Sequence, residues 1–207
     1  MTLHAYNSDV LFTTTLDLGS SDDFIVGSNG FVYGQGTLVQ GRSGNSFTLA
    51  GGVSSAEYVA FQIGSASDQA SHCQFLITST GVVQAGIGIL YSGGGLSVVN
   101  RGSIGCTISA ITMFNPTGGR SIIDNAGTIV GGGSATILAL ACTIRNSGSI
   151  INTGDGYSLL FQDVEITDDR VINSGFLGGS VRLGGGNDLY DGRGGGTVDG
   201  AVFGDTG

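Results

Sequence analysis

No lysine occurs anywhere in this chain, and proline occurs once, at Pro116. The seven basic residues are all arginine, set against fourteen aspartates and two glutamates, for a formal charge of −9. Nucleic acids and anionic membranes are held mainly by Lys and Arg clusters, so a surface this acidic is expected to repel both. The acid suits cations, calcium first among them, or simply keeps a glycine-rich chain soluble. With so little proline, the forty glycines are not those of collagen or of a Pro/Gly-rich disordered tract. Long apolar runs are missing as well. None approaches the roughly 20 residues that cross a bilayer, so no membrane insertion is expected. Residues 1–8 lack the basic-then-apolar pattern of a cleaved signal peptide. Cysteine is sparse and odd in number, at Cys73, Cys106 and Cys142, with no Cys-x-x-Cys pair. Each lies in or beside an apolar run, which predicts buried free thiols rather than disulfides.

What is present is a repeat. Hydrophobic residues make up 40% of the 207 positions, in short runs between glycines. The segments Asn100-Arg101-Gly102-Ser103-Ile104, Asn125-Ala126-Gly127-Thr128-Ile129, Asn146-Ser147-Gly148-Ser149-Ile150 and Asn173-Ser174-Gly175-Phe176-Leu177 share the pattern Asn-x-Gly-x-aliphatic. Their glycines step by 25, 21 and 27 residues. Weaker copies lie at Gly81 and Gly30, with a degenerate one near Gly51. Asn and Gly tolerate the left-handed backbone region, so Asn-x-Gly reads as a turn, and the β-branched residue after it starts a strand. A second apolar run follows within each period, too short for a three-turn helix. One such unit cannot bury its strands alone; stacked at roughly 4.8 Å, consecutive units form a continuous core. The Asn residues either stack as a hydrogen-bonded ladder or serve as plain turn formers. Steps above 20 residues favour a three-sided coil over the two-sided roll of nonapeptides, which repeats about every 18. The expected fold is therefore all-β, a right-handed parallel β-helix of about seven or eight coils. The expected divisions are a cap with first strands over 1–27, the β-helix over 28–182 and a distinct tail over 183–207.

The Asn-x-Gly-x-Ile pattern resembles the repeats of autotransporter-like and other secreted β-helix proteins, a resemblance of fold that covers roughly 28–180. The tail resembles something more specific. Gly184-Gly185-Gly186-Asn187-Asp188-Leu189-Tyr190-Asp191-Gly192 is similar to the RTX nonapeptide Gly-Gly-x-Gly-x-Asp-x-U-x, in which U is large and apolar. A second unit keeps Gly194, Gly195 and Gly196 but has Val198 where the calcium-binding Asp belongs, and a third opens at Gly204. The resemblance implies β-roll turns holding Ca2+, with Gly184, Gly186, Asp188 and Gly204 as the metal-site residues. Calcium needs six or so oxygens, and the turn at Gly204 lacks its Asp, so a partial, weak site is expected. It also implies type I secretion without a cleaved leader, an extracellular or cell-surface location, and a chain that continues beyond Gly207.

Parallel β-helices also carry polysaccharide-active enzymes, although fold alone is no warrant for activity. The densest acidic cluster is Asp168-Asp169, preceded by Asp163 and Glu165 and followed by Arg170, with Asp22-Asp23 a second. Asp168 and Asp169 are thus the catalytic candidates, against the plainer reading of a solvated coil edge. A lyase would also need a base, usually Arg, Lys, His or Tyr; lysine is absent, and His4 and His72 lie far from the cluster in sequence. The triple Thr13-Thr14-Thr15 has no periodic echo of the kind an ice-binding face needs. The expected function is a non-catalytic, calcium-binding structural or adhesive module of a secreted bacterial protein, with a lyase- or epimerase-like enzyme as the alternative. The expected partners are calcium, a polysaccharide or cell-surface glycan, and further copies meeting at the solenoid ends.

Overall fold

The strand Ser149–Asn152 states the local rule of the whole molecule: Ile150 and Asn152 are buried, while Ser149 and Ile151 between them are not. That alternation is the period of two of a strand with one face in a core. It recurs at Asp23–Val26, Ser46–Leu49, Gly52–Ser55 and Thr128–Gly131. The structure is a computed structural model in which residues 1–114, 119–162 and 167–205 are described. No helix occurs among them, so none is long and apolar enough to cross a membrane.

The strands stack in parallel as a three-sided β-helix. The first face is a nine-stranded sheet running from Leu3–Tyr6 to Leu189–Asp191, one strand per coil, so the described chain makes nine coils. The second face runs from Val10–Phe12 to Thr197–Asp199, and the third from Leu16–Asp17 to Val202–Phe203. In the fourth and fifth coils, the strands Val82–Gly94 and Ser103–Phe114 continue from the second face onto the third. At roughly 4.8 Å per coil, eight steps give a rod of about 40 Å.

The count exceeds the expected seven or eight for a physical reason at each end. Residues 3–17 form a complete first coil in register with the second, with Leu3 opposite Asp23, Val10 opposite Val32 and Leu16 opposite Val39. The glycine–aspartate tail forms the ninth coil. Leu189–Asp191, Thr197–Asp199 and Val202–Phe203 each pair with a strand of the eighth. The tail's glycines are the corners of the ninth coil.

The core changes character along the axis. In the second to fourth coils one first-face column is Phe24, Phe47 and Phe75, the last two stacked at 4.2 Å between centroids, with Phe61 edge-on to them from the third face. From the fifth coil this column turns aliphatic, as Val98, Ile123, Ile144 and Val171. The neighbouring column reads Val26, Leu49, Ile77 and then Asn100, Asn125, Asn146 and Asn173.

Those four asparagines are a buried ladder. Each Nδ2 donates to the next Oδ1, at 2.8, 2.8 and 2.9 Å, and Asn173 ends the series on the Tyr190 hydroxyl at 3.2 Å. Each Nδ2 also donates to a carbonyl of the coil above, those of Thr128, Ser149, Phe176 and Thr197. The glycine two places on has a different role from the one expected. None of Gly102, Gly127, Gly148 and Gly175 has positive φ. A Cβ on Gly127, Gly148 or Gly175 would instead lie 2.1–2.2 Å from the carbonyl oxygen of the stacked glycine one coil earlier. Close approach of backbone to backbone demands glycine here.

Replacing Asn125 with Ala removes an interior rung, leaving Asn146 Oδ1 without its donor and the Asn100 amide without its side-chain acceptor. At 1–3 kcal/mol for a buried group left unpaired, the expected loss is about 2–4 kcal/mol in urea unfolding. A loss below about 0.5 kcal/mol would mean the ladder is ornamental.

Candidate functional site

At the opposite edge of the first face, at or one residue before the start of each strand, a second column turns the chain from the third face onto the first. It reads Asp22, Asn45, Cys73, Leu96, Ser121, Cys142, Asp169 and Asp188, as the strand registers require. The turn before it is tight. Ser21, Gly44, His72, Gly95 and Ala141, each immediately preceding a column residue, all have positive φ. The Asp and Ser side chains of this column meet a backbone N–H of the coil below, while Asn45 donates to the Gly19 and Asp22 carbonyls there. Ser121 Oγ accepts from Leu96, Asp169 Oδ1 from Cys142 at 2.6 Å, and Asp188 Oδ1 from Asp169 at 2.7 Å. Asp22 plays the same part for Thr2.

The consequence is that two candidates from different parts of the sequence stack directly. Asp169, from the acidic cluster, and Asp188, from the RTX-like turn, occupy the same position in successive coils. Asp169 is 4% exposed, its Oδ2 accepts from the Thr167 hydroxyl at 2.8 Å, and Arg120 Nη1 lies 3.6 Å from Oδ1. Arg120 also donates to the carbonyls of Cys142 and Asp168. Asp188 Oδ2 is inaccessible and has no hydrogen-bond partner among the described residues. Burial pushes the Asp169 carboxyl above its ordinary value and the charge of Asp188 adds to this. The hydrogen bonds from Cys142 and Thr167 and the charge of Arg120 oppose them.

Asp168 is exposed and accepts from the Asn187 N–H at 3.0 Å, bordering a cleft of ≈ 370 Å3 with Arg120, Arg170 and Leu189. Asp169 reaches the same cleft but is buried and bonded to Cys142 and Thr167, so Asp168 and Asp169 do not form a pair of solvent-facing carboxylates. Asp163 and Glu165 lie outside the described residues. In the other acidic pair, Asp22 is consumed by the Thr2 and Gly19 N–H groups, which hold its carboxyl below the ordinary value. The three thiols are free and buried; burial pushes Cys106 up to about 12 and raises the other two as well. Thiols so protonated are poor nucleophiles.

The residues expected to hold calcium fit that ion in part. Gly184 and Gly186 have φ of +83° and +136°, so this turn does use the conformations open to glycine. Asp188 supplies one unpartnered carboxylate oxygen. Gly204 is exposed in the ninth coil, and Asp205 beside it is paired with Arg182 Nε at 2.7 Å. Among the described residues no three His, Cys, Asp or Glu side chains form a metal-holding group. Asp188 Oδ2 is one of the six or so oxygens that calcium needs.

A carboxyl with a higher pKa folded than unfolded binds its proton more tightly when folded. Its ionisation therefore costs stability as pH rises between the two values, and the cost persists above them. Asp169→Asn keeps an acceptor for Cys142 and removes the charge. Its stability relative to the parent should rise from about pH 4 to about pH 7 in paired thermal melts. A difference independent of pH would mean that Asp169 is not held above its unfolded value.

No protein family model matches this chain, nor does any curated protein or solved structure. Its function is therefore argued from its own geometry.

Proposed function

We propose that the chain is a non-catalytic structural or adhesive module, an acidic β-solenoid exported from its cell and reinforced by calcium at its C-terminal coils. The observation that carries the reading is the use made of the densest acidic cluster. Both oxygens of Asp169 are engaged in joining coils and corner, and Asp188 joins the next coil in the same way. Glycoside hydrolysis uses two carboxyl groups presented to one substrate, roughly 5–9.5 Å apart. Here one member of the adjacent pair is buried and committed. His4, 3.8 Å from Asp22, and His72, in its turn, both lie outside the cleft beside Asp168. Cleavage or epimerisation of a uronate wants a base near that cleft.

Calcium enters at Asp188. A carboxylate oxygen out of reach of solvent and without a donor is costly, and a cation neutralises it. The ligands would be Asp188 Oδ2 and carbonyls of the Gly184–Gly186 turn, and the ion would supply charge compensation and stiffness. With one acid, the affinity belongs in the range of roughly 10⁻⁴–10⁻³ M typical of extracellular modules. Export without a cleaved leader belongs to the same proposal, on the strength of the Gly-Asp repeat.

Thermal unfolding tests the calcium proposal. Calcium at ten times its dissociation constant adds about 1.4 kcal/mol, so the midpoint should rise by about 3–5 °C over the chelator-treated protein. Asp188→Asn should abolish the shift while keeping an acceptor for Asp169. Equal midpoints in calcium and chelator would remove calcium from the reading. Incubation with alginate and polygalacturonate tests the other half. The absorbance of unsaturated products should stay flat, and their release, lost on Asp168→Asn, would make the chain an enzyme.

A further inference from the structure

We infer that the outer surface of the second face, with the corner that follows it, is a binding groove for a neutral, linear polysaccharide. This rests on the adhesive reading above and names its ligand class.

The first observation is one of charge. In a chain carrying −9, the second-face strands of the first eight coils contain no charged residue, from Val10–Phe12 to Phe176–Gly178. The first face carries charge along its length, at Asp23, Asp124, Arg145 and Arg170, and the third only near its two ends, at Asp17 and Arg182. Chance segregation over eight coils is a poor explanation for a surface that must stay in water.

The second observation is one of shape. Two adjoining clefts share Ser54 and Ala56. One, of ≈ 340 Å3, lies against Leu11, Phe31 and Tyr33; the other, of ≈ 520 Å3, runs past Gln84 to Val130. Together they follow the axis from the first coil to the sixth, about 24 Å at roughly 4.8 Å per coil. An elongated open groove suits a chain-like ligand better than a compact one.

The third is the lining. Phe31 and Tyr33 are each 38% exposed and lie side by side with centroids 5.7 Å apart. Phe31 is seated by a missing side chain: a Cβ on Gly52, opposite it in the next coil, would lie 2.2 Å from its ring. The aromatic platform is thus built in before any ligand arrives, which lowers the entropy lost on binding. Beyond it the groove offers Gln35, Ser54, Gln84 and Thr107, uncharged donors and acceptors, with Glu57 its one ionised group. Aromatic faces for C–H surfaces together with neutral hydrogen-bonding groups are the complement of a sugar ring. The absence of arginine from the groove disfavours polyanions.

Native gel electrophoresis through hydroxyethylcellulose, dextran, galactomannan and, as the anionic control, polygalacturonate tests the inference. At least one neutral polymer should retard the protein and polygalacturonate should not. Tyr33→Ala and Gln84→Ala should each weaken retardation about tenfold or more, one fully removed hot-spot contact. Leu76→Ala, an exposed apolar residue of the first face, should change nothing, and thermal midpoints verify that all three fold. No retardation by any neutral polymer, or retardation that Tyr33→Ala leaves intact, overturns the groove. So does a dimer in sedimentation that Tyr33→Ala dissolves, which would give the face to a second copy of the chain. New reducing ends in the retained polymer would end the non-catalytic reading while supporting the groove.

Discussion

The whole solenoid hangs on the approach of one corner's backbone to the next. The carbonyls of Gly81, Gly102, Gly127, Gly148 and Gly175 each accept the N–H of the residue that opens the second-face strand one coil on, at 2.9–3.0 Å. A side chain on the stacked glycine would collide with that carbonyl, so every other feature depends on its absence. Once the corners nest, strand register follows, because a slip of one residue would turn the aliphatic columns outward. The asparagine ladder adds what glycine cannot. An aliphatic column packs in several registers, whereas each Asn must meet the next at hydrogen-bond distance. A ladder misplaced by one residue leaves buried amides unpaired, at 1–3 kcal/mol or so apiece.

The first face is accordingly held at both edges by polar groups, and the two edges work differently. On the Asn edge, side chains bond to side chains and run continuously through four coils. On the acidic edge, the Asp and Ser side chains cap a backbone N–H of the coil below, Asn45 donates to carbonyls there, and the column is interrupted by Leu96 and by thiols. Neutral amides tolerate indefinite stacking. Carboxylates do not: Asp169 and Asp188 stack with one arginine near the first and no partner for one oxygen of the second. The strain of like charges therefore collects at the C-terminal coils, where a cation has most to offer.

Much of the fold is legible in the sequence because the corner requirement is strict. Glycine recurs where a carbonyl from the coil below crowds the turn, in four coils as Asn-x-Gly, and the spacing of 21–27 residues already separates a three-sided coil from a roll. The first coil escapes detection because Ser8 stands in the glycine position, two residues before Val10 opposite Val32. The ninth is disguised. Gly192 replaces the ladder Asn, and the glycines that serve as corners also spell a nonapeptide. The candidate site is legible only in pieces. Asp169 and Asp188 each stand out, but their juxtaposition depends on one coil taking 19 residues where its predecessor takes 27. Nothing in the residue types discloses that step. A faint signal did exist: the column residue falls four places before each ladder Asn, at Leu96, Ser121, Cys142 and Asp169. Its identity varies too much for the spacing to be noticed alone. The second face was the least legible part, because absence of charge on one side of a solenoid is invisible until the sides are known.

That absence bears on how the molecule stays in solution. Exposed Leu11, Phe31, Tyr33 and Tyr58 gather near the N-terminal end of the uncharged face and its corner, an arrangement that favours association unless something opposes it. Net charge supplies the opposition, since two copies approaching through this face bring the acid of both rods together. The repulsion acts on whole rods and is screened over about 8 Å at physiological salt, so it leaves a slender uncharged ligand untouched. A second face almost free of charge, with Glu57 at its groove and Asp199 in its last strand, is a surface that excludes its own copies at long range and accepts a neutral polymer at short range.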